Sequence, residues 1–264
     1  METLQIFKIG GNLMNDVELL NKFIGQWCLL PHKKILIHGG GKLLNELAEK
    51  LNLPQEMING RRITNAETLK LTTMVYAGYL NKTIVAKIQS QGNTALGLSG
   101  ADMNCISAHK RPLNDIDYGF VGDITTQNIN VNIIEKLLQQ SIIPVFSSIT
   151  HNNQGQLFNT NADTIASTLA CALASNFRVE LIFCFDHKGV LKNIDNQDDI
   201  IPIITENDFQ TLKKDNIVSK GMLPKLENAF KALKAGVHKV VLIHYQDIGS
   251  FQHQDRFCGT QLIV

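Results

Sequence analysis

A three-layer αβα sandwich around a mostly parallel sheet, arranged in two lobes, is the fold class this sequence predicts, and three observations predict it. Short apolar runs alternate along the chain with segments of helical period, the pattern of parallel strands and their crossover helices. Two of the runs end in glycine-rich turns, Lys8-Ile9-Gly10-Gly11 and His38-Gly39-Gly40-Gly41, each leading into a helix-like segment. The 264 residues suffice to bury a substantial core. Open sheets of this class bind ligands at the carboxyl ends of their strands, where these turns place bare backbone N–H groups that suit an anion.

Six runs read as strands, at residues 4–9, 34–37, 94–98, 143–147, 181–185 and 239–243. Between the second and third, residues 66–91 form the longest helical stretch, and Thr64 with Glu67 has the spacing of a capping box at its start. Its length exceeds what one sheet face needs, so it is either a surface for a partner subunit or a long solvated helix. Residues 101–126 turn irregular, through Lys110-Arg111-Pro112 and Gly119-Phe120-Val121-Gly122-Asp123, and read as a hairpin excursion over a site. A helix over 162–174 presents Ile165, Leu169 and Leu173 on its apolar face. The boundary between lobes falls near 175–178, dividing the chain into 1–175 and 176–264. Residues 195–199 are a polar loop.

Charge and cysteine usage narrow the function classes. With 25 basic and 24 acidic residues the net charge is +1, which gives no argument for nucleic acid or an anionic membrane surface as the main partner. Cys28, Cys105, Cys171, Cys184 and Cys258 are scattered without a C-x-x-C spacing that could frame zinc, and no metal site is expected. No apolar run approaches a membrane span or a signal-peptide core, so a soluble cytoplasmic protein is expected.

Gly39-Gly40-Gly41-Lys42 lacks both the earlier glycine and the following Ser or Thr of a Walker A loop, and protein-kinase signatures are absent. A phosphate site must therefore be assembled from distant segments. Lys8 interrupts an apolar strand: it either guards an edge or points at something negative at the strand's carboxyl end. In Asn159-Thr160-Asn161-Ala162-Asp163-Thr164, Asn161 or Thr160 can cap the helix and Asp163 can complement its dipole, but that account leaves Asn159 unused. Lys225 stands in the first turn of a helix, electrostatically disfavoured there unless an anion compensates it, with Pro224 suited to an early helical position. Arg62, within Gly60-Arg61-Arg62-Ile63-Thr64, offers a guanidinium fork for a carboxylate. His38 reads as a packing or capping residue, not a general base.

Taken in order, these elements resemble the amino-acid kinase family, and within it the acylglutamate kinases more than the carbamate, uridylate or aspartate kinases. The resemblance runs from Lys8 to the C-terminus. Besides the turns already named, it is carried by Asn81-Lys82, Gly97-Leu98-Ser99-Gly100-Ala101-Asp102, Val121-Gly122-Asp123, Asp186-His187-Lys188-Gly189-Val190 and Gly221-Met222-Leu223-Pro224-Lys225. It implies transfer of the γ-phosphoryl of MgATP to the side-chain carboxylate of an N-acylglutamate, the first lobe binding the acyl amino acid and the second the nucleotide. Lys8 and Lys225 would neutralise the transferring group and Asp163 would position them, while Gly11, Gly40 and Gly41 bring amides to it. Arg62, Asn159 and Asn161 would hold the substrate together with Gly40 and Gly41. Phe185, Asp186, His187, Lys188, Gly189 and Val190, with Ile217, Val218 and Ser219, would border ATP, and magnesium would be held mainly by phosphates. The carboxylate nucleophile needs no general base, so alignment and charge stabilisation are the protein's tasks.

The resemblance also implies a homodimer through 66–91. Arginine-inhibited relatives carry a helix before the first strand, and Lys8 arrives too early for one, so arginine insensitivity is expected. Two alternatives accompany this reading. One is N-succinylglutamate as substrate, whose extra carboxylate would want an extra cation from Lys110 or Arg111. The other is a non-catalytic amino-acid sensor.

Overall fold

Each of the six apolar runs becomes a strand, and the alternation of side chains along them builds a core on either face of one sheet. The computed structural model describes residues 1–264 except 59, 114, 194, 195, 197, 198, 215–221 and 252–258. In chain order the strands are β1 (Thr3–Ile9), β2 (Lys33–His38), β3 (Met57–Ile58), β4 (Arg61–Arg62), β5 (Ala95–Leu98), β6 (His109–Lys110), β7 (Gly122–Asp123), β8 (Ile143–Ser147), β9 (Ile149–His151), β10 (Leu157–Asn159), β11 (Arg178–Phe185), β12 (Ile203–Thr205), β13 (Lys239–His244) and β14 (Thr260–Ile263). The α-helices are α1 (Val17–Cys28), α2 (Gly41–Lys50), α3 (Ala66–Thr73), α4 (Asn81–Gln89), α5 (Val131–Gln139), α6 (Ala162–Leu173), α7 (Glu206–Lys214) and α8 (Leu223–Lys234).

Eight strands make one sheet in the order β12-β14-β13-β11-β1-β2-β8-β5. Its pairings are parallel except that of β13 with β14. Strands from before residue 176 fill one half of the sheet and strands from after it the other, with β1 and β11 side by side at the centre. Leu4 and Ile6 of β1 join Ile35 and Ile37 of β2 and Leu181 and Phe183 of β11 in the core beneath α5, α6, α7 and α8. Phe7 and Ile9 join Leu36, Ile182 and Cys184 in the opposite core, covered by α1, α2 and the long helical stretch from Ala66. A strand's period of two thus sorts its residues between two helical layers. It also sends Lys8 to the same face as Leu4 and Ile6, toward α6.

Local chemistry departs from expectation in three places. The stretch over 66–91 is helical to Gln89, but Met74–Leu80 winds in the wider π register between α3 and α4. Its N-cap is Asn65, whose side chain accepts from Thr68 N at 2.8 Å, and the expected Thr64 and Glu67 box does not form. The reason is that Thr64 is fully buried and its hydroxyl is committed elsewhere, donating to Arg62 O at 3.1 Å. Third, β12 and β14, of three and four residues, are too short to show an alternation in sequence. The irregular segment does close as an excursion, β6 pairing antiparallel with β7.

Leu169 on α6 is fully buried in the core beneath the sheet. Leu169→Ala is expected to lower unfolding free energy by about 2–5 kcal/mol in urea titrations, whereas Leu29→Ala should stay within about 0.5 kcal/mol. Leu29, just past α1, is 78% exposed.

Candidate active site

Sheet parity and helix capping bring two lysines from distant segments to one carboxylate. Asn161 caps α6, its side-chain oxygen accepting from Asp163 N at 2.8 Å and Thr164 N at 3.1 Å. That puts Asp163 in the first turn of α6, at the carboxyl edge of the sheet. Lys8 Nζ reaches Asp163 Oδ1 at 2.8 Å, and Lys225 Nζ, from the first turn of α8, donates to Oδ2 at 2.6 Å. The helices α6 and α8 pack together, which sets the second approach. All three side chains are largely buried, at 14%, 13% and 25% exposed for Lys8, Asp163 and Lys225. Burial alone would raise the Asp163 carboxyl's pKa, but the two ammonium groups outweigh it and hold it well below the usual carboxylate range. Burial lowers the Lys8 pKa, opposed by Asp163 and reinforced by Lys225.

Beside this node lies a cavity of about 240 Å³ lined by Lys8, Asp163 and both glycine turns. A side chain at Gly11 or Gly40 would force its neighbours to shift. At Gly11, φ is +64° and a Cβ would stand 2.3 Å from Asp186 Oδ2. At Gly40 a Cβ would meet Leu80 Cδ1 at 2.3 Å and Tyr76 Cε1 at 2.9 Å. Gly40 and Gly41 line the cavity with Gly10, Gly11 and Gly39.

Arg62, Asn159 and Asn161 line the same cavity. Arg62 is 7% exposed and donates to Gln55 Oε1 at 2.5 Å and Asn45 Oδ1 at 2.7 Å, so uncharged amides aim the guanidinium while leaving its charge uncompensated by them. Asn159 Nδ2 donates to Thr64 Oγ1 at 3.1 Å, which ties β10 to the segment before α3. Asn161 lines the cavity as the α6 cap, so its oxygen is already engaged. Arg111 also lines it but is forked onto Asp123, its Nε lying 3.1 and 3.2 Å from the two carboxylate oxygens. Lys110 is exposed and does not line the cavity.

The segment expected to border a nucleotide follows β11. None of Phe185, Asp186, His187, Lys188, Gly189 or Val190 lines the cavity. Asp186 abuts the first glycine turn, accepting from Asn12 N at 3.3 Å. His187 stacks edgewise on Phe185, with ring centroids 5.9 Å apart. Gly189 and Val190 are buried, Val190 N donating to Thr260 Oγ1 at 2.8 Å. Ile217, Val218 and Ser219 lie outside the described residues.

Sequence reasoning missed Tyr76, Asn45 and Gln55. Tyr76, 5% exposed in the π segment, lines the cavity against Gly40. Its spacing in a helical pattern reads as core, and nothing local marks it. Asn45 and Gln55 are ordinary surface residues in sequence and become visible only when Arg62 folds onto them.

Comparison with known proteins bears on the whole chain. The model of the amino acid kinase family matches residues 3–244. The acetylglutamate kinase of Cytophaga hutchinsonii is 44% identical over 265 residues, 100% of each chain. That of Phocaeicola vulgatus is 47% identical, over 91% of this chain and 93% of its own. Among solved structures, smu.665 from Streptococcus mutans superposes with a TM-score of 0.77 at 27% identity, covering 98% of each chain. N-acetylglutamate synthase from Neisseria gonorrhoeae, complexed with coenzyme A and N-acetyl-glutamate, gives 0.83 at 20% identity over 100% of this chain and 59% of that one, a likeness of fold. With the family match spanning nearly the whole sheet and the Cytophaga hutchinsonii relative covered over its full length, the chain belongs to the amino acid kinase family.

Proposed function

We propose that this chain catalyses ATP-dependent phosphorylation of the side-chain carboxylate of N-acetyl-L-glutamate, giving N-acetyl-L-glutamyl 5-phosphate for arginine biosynthesis in the cytoplasm. One observation carries the reading: Lys8 and Lys225, from opposite halves of the sheet, converge on Asp163 beside a glycine-walled cavity. The full-length likeness to relatives named acetylglutamate kinase supports the choice of substrate. A carboxylate oxygen of the substrate attacks the γ-phosphorus, the bond from that phosphorus to the β,γ-bridging oxygen breaks, and ADP leaves with the electron pair. No proton has to be removed from the nucleophile. Lys8 and Lys225 neutralise charge on the transferring group, and Asp163 keeps the two ammonium groups apart and aimed.

The likeness to relatives named acetylglutamate kinase, and not the charge count, favours acetylglutamate over the succinyl alternative. Lys8, Lys225, Arg61 and Arg62 outnumber the one carboxylate of Asp163, a surplus of positive charge suited to an acidic substrate and the phosphoryl group. A third substrate carboxylate would need another cation: Arg111 is forked onto Asp123, and exposed Arg61 on the same cavity wall is the one such a substrate would recruit. Arg62 and Asn159 hold the α-carboxylate and acyl amide, and the amides of Gly11, Gly40 and Gly41 meet the reacting oxygens. ATP lies over the half of the sheet formed after residue 176, against Asp186 and the segment that follows. Magnesium, when bound with ATP, supplies charge neutralisation to the phosphates; Asp163, already paired with two lysines, is a poor ligand for it. Two subunits pair through the helical stretch from Ala66 to Gln89, where Met74 and Tyr79 are 61% and 64% exposed.

Acyl-phosphate formation, trapped with hydroxylamine, tests the function: N-acetylglutamate is expected to react, and N-succinylglutamate to react much less. Turnover with the succinyl compound alone would select the alternative, and turnover with neither would leave the sensor. Lys8→Ala and Lys225→Ala are each expected to lower kcat by about 10³-fold or more. Acid should expose the Asp163 pairing. Its folded pKa lies below the unfolded value of about 3.9, so its stabilisation is present above that pH and is lost as pH falls through the folded value. Urea midpoints of the wild type should therefore fall more steeply below about pH 4 than those of Asp163→Asn. On the dimer, the double substitution Met74→Asp, Tyr79→Asp should halve the mass read by light scattering.

A further inference from the structure

Behind the second glycine turn lies a chain of polar groups whose direction is fixed atom by atom. Asn81, the first residue of α4, is 1% exposed, and His38, the last of β2, is fully buried. Val145 O can only accept, so the Asn81 amide atom 2.9 Å from it is the NH₂ group. Lys82 Nζ can only donate, so the other amide atom, 3.3 Å from it, is the oxygen. The two ends agree. The same NH₂ group lies 3.1 Å from His38 Nε2, which therefore accepts and carries no proton. His38 Nδ1 carries it instead and donates to Gly39 O at 2.9 Å. His38 is thus a neutral imidazole in a single tautomer, and burial pushes its pKa down to about 4. Gly97 makes room for the arrangement, since a Cβ there would stand 2.0 Å from Asn81 Oδ1.

The consequence falls on the turn. Glycine has no side chain to restrain its peptide planes, so an anchor from outside matters. The peptide bonds are trans, and a Gly39 carbonyl drawn back to His38 sends the Gly40 N–H the opposite way. All three glycines of the turn line the cavity.

We propose that His38, held in its Nδ1–H tautomer by Asn81, is a positioning residue that fixes the Gly39–Gly40 peptide so that the Gly40 N–H faces the reacting carboxylate of the acyl amino acid. The identity of that anion rests on the kinase reading above; the tautomer and the peptide orientation do not. His38 moves no proton in the reaction. It acts through the turn.

Histidine ¹⁵N spectra of the wild type near neutral pH are expected to show a protonated Nδ1 and a bare Nε2 for His38; the opposite tautomer or an imidazolium would overturn the proposal. His38→Phe keeps the ring volume without its polar atoms, and His38→Asn restores a donor near the Nδ1 position. The first is expected to lower kcat/KM for N-acetylglutamate about 10²-fold while the KM for MgATP stays within about twofold, and the second to recover most of the loss. Equal impairment of both variants with unchanged melting temperatures, or wild-type kinetics in both, would overturn it. The Gly40 amide resonance should move in His38→Phe and return in His38→Asn, and an unmoved resonance counts against the proposal. Should the wild type phosphorylate no acylglutamate, the kinase reading fails by itself, and the two spectroscopic readouts still decide the positioning role. If His38→Phe does not fold, Asn81→Asp disturbs the same ring from the other side. Its carboxylate cannot donate to Nε2, so the His38 ¹⁵N pattern must change; an unchanged pattern would overturn the proposal.

Discussion

The structure depends on a single carboxylate held between two ammonium groups. Asp163 is desolvated, and its charge is tolerable only because Lys8 and Lys225 stand 2.8 and 2.6 Å away. Each lysine is disfavoured there alone, since Lys8 leaves the sheet among apolar neighbours and Lys225 occupies a helix's first turn, where the dipole repels cations. Three individually unfavourable placements thus become one favourable cluster. The cluster keeps a net positive charge, and an incoming phosphoryl group is the natural complement to it. The N-terminus of α6, with its own partial positive charge, points the same way.

Several independent pieces of backbone geometry must agree for this cluster to form. Parallel pairing of β1 between β2 and β11 puts Lys8 at the carboxyl edge of the sheet, and strand parity turns it toward α6. The Asn161 cap starts α6 so that Asp163 falls in its first turn. The packing of α8 on α6 delivers Lys225 from a segment more than sixty residues on. A one-residue slip in β1 would send Lys8 into the opposite core. Function is therefore a condition on register as much as on residue type.

Most of this was legible in the sequence because it rests on local rules. Period-two runs marked the central strands, an Asn before an apolar helical face marked the α6 cap, and a lysine in a strand marked Lys8. What was not legible depends on long-range packing. The π turn at Met74–Leu80 leaves no signature, because seven residues cannot separate its period from that of an α-helix. The expected cap at Thr64 failed because tertiary contacts, Arg62 O and Asn159, took its hydroxyl and Asn65 was an equally good cap. The amide clamp on Arg62 joins residues 45, 55 and 62, which no periodicity links.

The division of labour between charged and neutral groups has its own logic. Cations line the cavity side of the glycine turns, whereas the support behind the second turn, Asn81 and His38, is neutral and buried. A charged residue in that position would add to the field of Lys8 and Asp163 in a region of low dielectric, where it is least screened. A protonated His38 would also set an Nε2–H against the Asn81 NH₂ group, which cannot turn around because Val145 O and the Lys82 ammonium hold its two ends. The Asn81 amide therefore keeps the imidazole neutral by geometry as well as by burial. A neutral scaffold can hold the Gly39–Gly40 peptide without altering the electrostatics that Lys8, Lys225 and Asp163 establish in front of it, and this lets the fold orient the turn and charge the cavity through separate residues.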